Sequence, residues 1–586
     1  MNYKNSLSVK AATGISRRKF VTGVSAGGVL LASGISPREL LAQSPAPQQL
    51  TELRGNRFDL GIAYREVNFT GTPRQATVIN GGLPAPVLRW QQGENVVLRV
   101  TNNLATDSSI HWHGMILPAE MDGVPGLSFA GIRPGETFEY RFPVKQSGTY
   151  WYHSHSGFQE QTGMYGALVI DPVEPEPFSY ERDYVVMLSD WSDEKPENVY
   201  AKLKKQSHYY NNQMRTLTDL GNDISDKGIA GTWRDRAMWN RMRMNDRDIA
   251  DVTAQTYTYL MNGNTPDSNW QGLFKKGEKV RLRFINAAAM TIFDVRIPGL
   301  KMTVVAADGQ YVEPVSVDEF RIGVAETYDV IVEPAEGAYT VFAQSIDRGG
   351  YARGTLTEQP GLVADIPGMD PPPVLTHADM GMGHAGHDMS DMDHSTHADH
   401  AMQPELARAG RGSQAEVVHP VTEQGFQVDM QAQMPRDQLN DPGIGLRDNG
   451  RHVLTYAELR NLNPTPDPRD PTREIQLHLT GNMERYMWSM DGIRFADAEP
   501  LQLKLDERVR ITLVNDTMMN HPIHLHGMWS DLETGSTDHI PRKHTITVQP
   551  GAKISYLVTP DMPGPWAYHC HLLYHMLGMF REVEVS

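Results

Sequence analysis

Four pairs of histidines, each pair separated by one residue, form the clearest chemical pattern in this sequence. On a β-strand, residues i and i+2 face the same side, so each pair can direct two imidazoles at one point. Imidazole nitrogen is a common ligand of transition metals. If the four pairs converge, their eight imidazoles can hold three metal ions. The pairs lie in HWHG, HSH, HPIHLHG and HCHLLYH, and their members are His111, His113, His153, His155, His524, His526, His569 and His571.

Cys570 is the single cysteine of the 586 residues, and it stands between His569 and His571. It has no cysteine partner for an intrachain disulfide, and a lone thiol is reactive unless something such as a metal engages it. On a strand its side chain points away from the face of its two neighbours. There it can meet His521 and His575, which lie outside the pairs. One cysteine, two histidines and a weak axial ligand form a blue-copper site.

Three similar segments supply strands that could carry these residues. Each contains an alternating run, NVVLRVTN, KVRLRFIN or RVRITLVN, followed by a closing motif that begins near glycine or proline. Such alternation predicts half-buried strands, and short strands between turn residues predict β-sandwiches. We therefore expect an all-β chain with domains at about residues 50–175, 176–356 and 415–586. Phe293 and FAQS replace the histidine pairs in the middle domain, so we expect it to hold no metal.

Two segments depart from the strand pattern. The run Trp233–Val252 is polar and rich in methionine and arginine, and it predicts a helix or a long loop in the second domain. Residues 357–414 predict a linker, within which His377–Met402 contains six His, five Met and five Asp. This tract has few residues that could form a core, so we expect it to be disordered without metal.

The first 43 residues have the features of an export signal. Arg17 and Arg18 precede the apolar stretch Val21–Ile35, and small residues near Leu40–Gln43 suit cleavage. This pattern predicts a twin-arginine signal and a periplasmic location. No other apolar run reaches membrane-spanning length. The net charge of −17 provides no basic footprint for nucleic acid.

In order and spacing, these motifs resemble those of the multicopper oxidases over nearly the whole chain after residue 43. The resemblance implies three cupredoxin-like Greek-key β-sandwich domains and four copper ions: one type 1, one type 2 and two type 3. It also implies one-electron oxidation of a substrate at type 1 copper and reduction of O2 to water at the other three ions. By motif position, the type 1 ligands would be Cys570, His521 and His575, the type 2 ligands His111 and His524, and the type 3 ligands His113, His153, His155, His526, His569 and His571.

Two further positions concern the axial ligand of type 1 copper and the supply of protons. The family places an axial methionine ten residues after the cysteine, where this chain has Phe580. Met579 is therefore the first candidate for the axial ligand, and Met576 is the second. Asp122, in AEMDGVPG, stands where similar enzymes have an acid that relays protons, although it could also be an ordinary turn residue. The second relay acid that some relatives carry after the last histidine is replaced by Met576.

Four features together resemble those of the periplasmic copper-resistance oxidases of this family. They are the export signal, the motifs HCHLLYHM and TYTYLMNG, and the Met/His/Asp tract. Thioether sulfur prefers Cu(I), and imidazole and carboxylate accept Cu(II). We expect a monomeric cuprous oxidase whose partners are copper ions and O2, with periplasmic copper-handling proteins as further candidates. A phenol-oxidising laccase and a copper-sequestering protein are the alternatives. The methionines of Met238–Met244 and Met483–Gly492 could contact copper or fill the core.

Overall fold

The computed structural model describes residues 49–382 and 406–586. The export signal expected at residues 1–43 lies outside these ranges. Strands dominate the described residues, and they are β1 Glu52–Arg54, β2 Arg57–Val67, β3 Arg74–Ile79, β4 Ala85–Gln91, β5 Asn95–Asn102, β6 His111–His113, β7 Thr137–Pro143, β8 Gly148–His153, β9 Tyr165–Asp171, β10 Arg182–Ser192, β11 Tyr257–Met261, β12 Trp270–Leu273, β13 Val280–Asn286, β14 Phe293–Arg296, β15 Met302–Ala307, β16 Gln310–Val317, β17 Glu319–Ile322, β18 Thr327–Val332, β19 Ala338–Ser345, β20 Tyr351–Thr357, β21 Arg473–Asn482, β22 Met487–Met490, β23 Leu501–Leu503, β24 Val509–Asn515, β25 His521–Leu525, β26 Ser530–Leu532, β27 Arg542–Lys543, β28 Thr545–Val548, β29 Lys553–Val558, β30 Gly564–Cys570 and β31 Phe580–Val585.

Helices are few among the described residues. Short 3-10 turns lie at Ala119–Met121, Val421–Glu423, Tyr456–Glu458 and Phe495–Asp497. No helix in the described ranges is long and apolar enough to cross a membrane. The α-helices are α1 Pro196–Lys205, α2 Leu217–Met242 and α3 Leu573–Met576.

The strands form six sheets in a pattern that repeats three times. The second repeat has the orders β11-β10-β13-β18-β15-β16 and β12-β20-β19-β14-β17. The third has β22-β21-β24-β29-β26-β27 and β23-β31-β30-β25-β28, which is the same arrangement shifted by eleven strands. The first has β3-β2-β5-β7 and β1-β4-β9-β8-β6, a smaller version of the same plan. The all-β fold predicted from the sequence is therefore confirmed.

The first repeat contains strands that alternate between buried and exposed residues, as the sequence predicts. In β2, Phe58, Leu60 and Ile62 are buried and Arg57 and Asp59 are exposed, as in a strand with one solvated face.

The prediction of half-buried strands is wrong for β13 and β24, whose residues are all buried. In β13, Arg283 bonds Thr149 of the first repeat at 2.9 Å, and Arg281 pairs with Asp329 at 2.5 Å. In β24, Arg510 bonds the Ala407 carbonyl at 2.8 Å. Other parts of the chain cover the outer faces of both strands, and ion pairs compensate for burying the arginines.

Equivalent neighbouring strands of the first and third repeats carry the first histidine of each pair, and His155, His526 and His571 lie just after the ends of β8, β25 and β30. His111 on β6 is directly opposite His153 on β8, and His524 on β25 is opposite His569 on β30. The equivalent strands of the second repeat are β14 and β19, where Phe293 faces Ser345.

The two irregular segments are more ordered than the sequence indicated. Helix α2 begins at a Thr216 capping box, is interrupted at Gly228 and ends at Arg243, so it starts well before the predicted excursion. The start of the Met/His/Asp tract is folded: His377 stacks on Trp239 with ring centroids 5.1 Å apart. Met380 is fully buried. The expectation of disorder is thus wrong for residues 377–382, because His377 packs on α2 and Gly381 accepts a hydrogen bond from the Met434 backbone N–H. Residues 383–402 of the tract lie outside the described ranges.

A buried lysine joins the second and third repeats. Lys543 Nζ lies 3.0 Å from Asp308 Oδ2 and 3.1 Å from Glu326 Oε1. Burial lowers the pKa of Lys543, but the two carboxylates outweigh it and raise the pKa above its ordinary value. Asp308 Oδ2 also accepts the backbone N–H groups of His544 and Thr545. This contact positions the segment that follows β27, close to the histidine pairs.

Lys543→Met should lower the free energy of unfolding by about 3–5 kcal/mol, because it leaves two carboxylates buried without their cation. Urea unfolding followed by tryptophan fluorescence measures the change. The matched control is Lys301→Met, which removes an exposed pair with Asp318 and should cost less than about 1 kcal/mol. Equal costs for the two variants would contradict the structural role given to Lys543.

Candidate metal centre

Three histidine side chains converge most closely at the contact between the first and third repeats. His569 Nε2 lies 3.0 Å from His526 Nε2 and 3.3 Å from His155 Nε2. Three nitrogens pointing at one another in this way suit one shared ion. The first repeat contributes one ring and the third repeat contributes two, so the site is complete only when both are packed together.

A second group of three rings lies beside the first. The ring centroid of His571 is 4.9 Å from that of His113 and 5.0 Å from that of His153. The rings of His113 and His153 are 5.8 Å apart. Here the first repeat contributes two rings and the third contributes one, which mirrors the first group.

The remaining pair is His111 and His524, whose ring centroids are 5.7 Å apart. His111 Nδ1 lies 2.8 Å from the Asp122 carbonyl oxygen, and His524 Nδ1 lies 2.5 Å from the His544 carbonyl oxygen. Each Nδ1 therefore carries the proton, and each Nε2 is left with a lone pair directed at the centre.

The other rings are oriented by the same means. His526 Nδ1 lies 2.8 Å from Asp122 Oδ2, and His153 Nδ1 lies 2.8 Å from Glu160 Oε2. Such contacts orient metal-binding imidazoles and fix their tautomers. Burial lowers the pKa of His569 to about 4, so its ring is neutral at neutral pH and can act as a ligand. Among the eight paired histidines, the Nε2 atoms that are buried without a hydrogen-bond partner in the described ranges belong to His111, His153, His524 and His571, and both ring nitrogens of His113 share this state.

Cys570 faces away from these rings and meets two further histidines. Its Sγ lies 3.5 Å from His521 Nδ1 and 3.9 Å from His575 Nδ1, and the two nitrogens are 3.3 Å apart. Three donors in a plane about 2.0–2.3 Å from one ion lie about 3.5 Å apart, so the triangle fits one metal ion. Burial raises the pKa of the Cys570 thiol, so a bound cation must stabilise its thiolate. One sulfur and two imidazoles are the donor set of blue copper.

The strand register distinguishes the candidates for the axial ligand. Phe580 pairs with His569 and stacks on its ring at 5.4 Å, so it lies on the histidine face of β30. Met579 is the residue before it, is fully buried, and accepts the Cys570 backbone N–H at 3.1 Å. Residues opposite each other in antiparallel strands share a face, which favours Met579. Met576 packs with Phe580 instead.

Three contacts hold the two histidines beside Cys570. Thr517 Oγ1 lies 2.7 Å from His521 Nε2. Asp251 Oδ2, from the second repeat, lies 2.6 Å from His575 Nε2, and Trp488 stacks on the same ring at 3.8 Å. Burial raises the pKa of Asp251 to about 7. His575 is fully buried as a result.

Asp122, the acid expected to relay protons, lies within the centre. Its side chain is 1% exposed and lies between His111 and His526. Its Oδ1 is buried and has no hydrogen-bond partner among the residues that the structure describes. Asp122 also ends the 3-10 turn Ala119–Met121 and precedes Gly123, so both the turn role and the relay role stay predictions.

Sequence reasoning missed Glu160, Asp251 and His544. His544 has a buried Nε2 and lies with His113 and His524 in a group that could hold a metal ion. None of the three belongs to a repeated motif, and Asp251 reaches its histidine from a distant repeat. Their burial beside histidines is the signal, and only the folded chain shows it.

A cleft of about 880 Å³ reaches one edge of the histidine centre. His155 lies on its wall, next to Ser156 and Gln159. The opening gives small molecules a route to the group formed by His155, His526 and His569.

Comparison with known proteins agrees with this geometry. The multicopper oxidase family models match residues 61–175, 182–361 and 468–586. The chain is 58% identical to a copper resistance protein A homolog of Pseudomonas syringae pv. tomato (strain ATCC BAA-871 / DC3000), over 98% of this chain and 100% of that protein. It is 56% identical to copper resistance protein A of Escherichia coli, over 97% and 99%.

Among solved structures, Fet3p, a multicopper oxidase that functions in iron import, matches with a TM-score of 0.61 and covers 91% of each chain. A laccase from Botrytis aclada matches with a TM-score of 0.59 over 92% of this chain and 88% of that one. The identities are 17% and 20%, so these matches bear on the fold alone. They agree with cupredoxin-like domains.

Met579→Leu tests the axial ligand. Loss of the thioether should keep the blue absorption, which needs the thiolate, and should raise the reduction potential. A tenfold change in the preference for Cu(II) over Cu(I) corresponds to about 59 mV, and a redox titration resolves such a shift. Met576→Leu is the matched control and should leave the potential unchanged. A shift in the control alone would assign the axial position to Met576.

Proposed function

Because this chain belongs to the multicopper oxidase family, we propose that it is a periplasmic cuprous oxidase that couples oxidation of Cu(I) to Cu(II) with reduction of O2 to water. Its role would be copper resistance, as the names of its relatives suggest. The observation that carries the choice of substrate is the closed environment of His575, which is fully buried behind Asp251 and Trp488. The ring presents no exposed edge to an aromatic substrate, whereas the neighbouring carboxylate of Asp251 would favour a cation as substrate.

The residues would hold four copper ions. Cys570, His521, His575 and Met579 would hold type 1 copper, and His111 and His524 would hold type 2. Bound copper would supply one-electron oxidation at type 1 and electrons for O2 at the other three ions. The type 3 ions would be held by His155, His526 and His569 in one group and by His113, His153 and His571 in the other.

The chain itself connects the two centres. Cys570 is covalently bonded to His569 and His571, whose rings point to the opposite side of β30 and into different type 3 groups. An electron that leaves the thiolate can therefore reach either group through a few covalent bonds. The alternation of the strand keeps the centres close while separating their ligands.

Proton delivery is assigned to Asp122. Four protons are consumed for each O2 reduced, and a buried carboxyl group near the reacting atoms can deliver them. Asp122 Oδ2 orients His526, which leaves Oδ1 free to hold a proton. Glu160 lies beside His153 as a further buried acid, whereas the residue directly after the last histidine is Met576.

The tract that begins at His377 supports Cu(I) as the substrate. Residues 383–402 contribute five His, three Met and four Asp to it, which are donors for both oxidation states of copper. The folded residues 377–382 fix the start of the tract against α2. We propose that the tract collects copper and that residues 1–43 direct export of the folded protein.

His111→Ala should abolish O2 consumption while the blue absorption remains, because His111 belongs to the centre that reduces O2 and Cys570 does not. Type 1 copper would then stay reduced once substrate is added. An oxygen electrode and a visible spectrum measure the two effects. His539→Ala, which removes a ring that bonds the Asn461 carbonyl, is the control and should retain activity. O2 consumption near the wild-type rate in His111→Ala would disprove this assignment.

Replacing residues 383–402 with a Gly/Ser segment of equal length tests the substrate. Residues 377–382 are kept because Met380 is buried. We expect an unchanged blue band and at least about threefold slower oxidation of Cu(I) at low concentration, since tethered donors raise its local supply. Oxidation of a small phenol should not slow. Equal loss of both activities would give the segment a role in folding only, and no loss would make it a spacer.

A further inference from the structure

A second group of histidines and carboxylates lies within the third repeat, apart from the histidine pairs. His478 is on β21, and Asp516 follows the end of β24. Glu423 ends a 3-10 turn, and His419 precedes that turn. His478, Asp516 and Glu423 are 1%, 0% and 3% exposed. We call these four residues the His419 cluster.

The side chains of the His419 cluster face one another closely. His478 Nδ1 lies 2.7 Å from Asp516 Oδ2 and 3.3 Å from Glu423 Oε1. His419 Nδ1 lies 2.9 Å from Glu423 Oε2 and 3.6 Å from Asp516 Oδ2. Four donors about 2.0 Å from one ion in a tetrahedron lie about 3.3 Å apart. The observed separations extend to either side of that value, and they involve five donor atoms because each Glu423 oxygen faces a different histidine.

The outer nitrogens of both rings show where the protons are. His419 Nε2 lies 3.2 Å from the Ala432 carbonyl oxygen, and His478 Nε2 lies 3.2 Å from Gln476 Oε1. Gln476 Oε1 also accepts the Val418 backbone N–H at 3.0 Å, which fixes the orientation of its amide. Both Nε2 atoms therefore carry a proton. Each Nδ1 faces a carboxylate oxygen and is available to a metal ion when it carries no proton.

Among the described residues, no permanently charged side chain compensates the two carboxylates of this arrangement. Within the described residues, the ion-pair partners of Glu423 and Asp516 are the two histidines, and no lysine or arginine pairs with either carboxylate. Glu423 Oε1 is buried and has no hydrogen-bond partner among those residues. Burial raises the pKa of Glu423 to about 8 and the pKa of Asp516 to about 7, so protons enter the cluster when no cation is present. Buried carboxylates are stable when they are paired or when they coordinate a metal.

We propose that His419, Glu423, His478 and Asp516 form a site for one divalent transition-metal ion, Zn²⁺ or Cu²⁺, separate from the copper centres of the oxidase. Two imidazoles and two carboxylates are a donor set for these ions. Two carboxylates balance the charge of a divalent cation, and the Nε2 hydrogen bonds orient the ligands from outside.

The position of the site gives it a structural consequence. His419 and Glu423 belong to the segment that enters the third repeat from the Met/His/Asp tract, and the other two ligands belong to its sheet. A bound ion would cross-link that segment to the sheet. Asp516 is adjacent to Thr517, whose Oγ1 lies 2.7 Å from His521 Nε2. A bound ion would therefore also restrain the residue that orients His521, a proposed type 1 ligand.

The test uses the full-length, copper-loaded protein and Zn²⁺ or Cu²⁺ alone as the probe. Each of four proteins is dialysed against a limiting concentration of the ion, and its metal content is measured by mass spectrometry. The proteins are wild type, Glu423→Gln, His419→Gln and the control His452→Gln. His452 also pairs with a glutamate, Glu458, but it is exposed and has no second histidine. The tract is present in all four proteins, so metal bound by the tract contributes equally to each measured metal content.

Wild type and His452→Gln should each hold one more ion than Glu423→Gln and His419→Gln, with at least a tenfold loss of affinity in the last two. The bound ion should raise Tm only where the site is intact. Dialysis against each ion in turn identifies which one the site retains. Equal metal content and equal Tm shifts in all four proteins would overturn the proposal and leave a cluster that holds protons only. The His419 cluster supplies none of the proposed copper ligands, so the blue band and O2 consumption should persist in all four proteins even where the extra ion is lost.

Discussion

The alternation of side chains along β30 is the constraint on which the rest of the structure depends. His569 faces one side of the strand and Cys570, its last residue, faces the other, and the ring of His571, directly after the strand, lies 5.5 Å from that of His569. This requires a partner surface on each face. The first repeat provides one of these surfaces with its own two histidine pairs, and His521 and His575 provide the other. Both the packing of the outer repeats and the separation of the two metal centres follow from this single strand.

The second repeat has the same sheets as the third but none of the paired histidines, and it has a different use. It holds the metal-binding repeats in place. Asp308 and Glu326 surround Lys543 and fix the segment that carries His544. Asp251 reaches His575. A repeat without the histidine pairs can still determine the geometry of histidines that belong to its neighbours.

The sequence was informative wherever a motif determines its own local geometry. The all-β fold and the family could be predicted from strand alternation and from the histidine pairs, and the structure brings the eight paired rings together. The domain boundaries stay predictions. Sequence reasoning failed where the deciding contact comes from a distant part of the chain. Arg281 and Arg510 looked like solvent-facing residues of half-buried strands, and Met380 looked like part of a disordered tract. Asp251 had no visible link to His575, which is 324 residues away.

The contact between His155 and His569 joins residues that are 414 positions apart. Closing so long a loop costs conformational entropy before any ligand can form its full set of contacts. A chain truncated before the third repeat has one ring of the first group (His155), two rings of the second group (His113 and His153) and one ring of the remaining pair (His111), and it has no thiolate ligand. The centre can therefore form only in a polypeptide that contains both the first and the third repeat, packed together. Unfinished or misassembled molecules lack the assembled site, so they do not carry a reactive metal cluster through the steps of their synthesis.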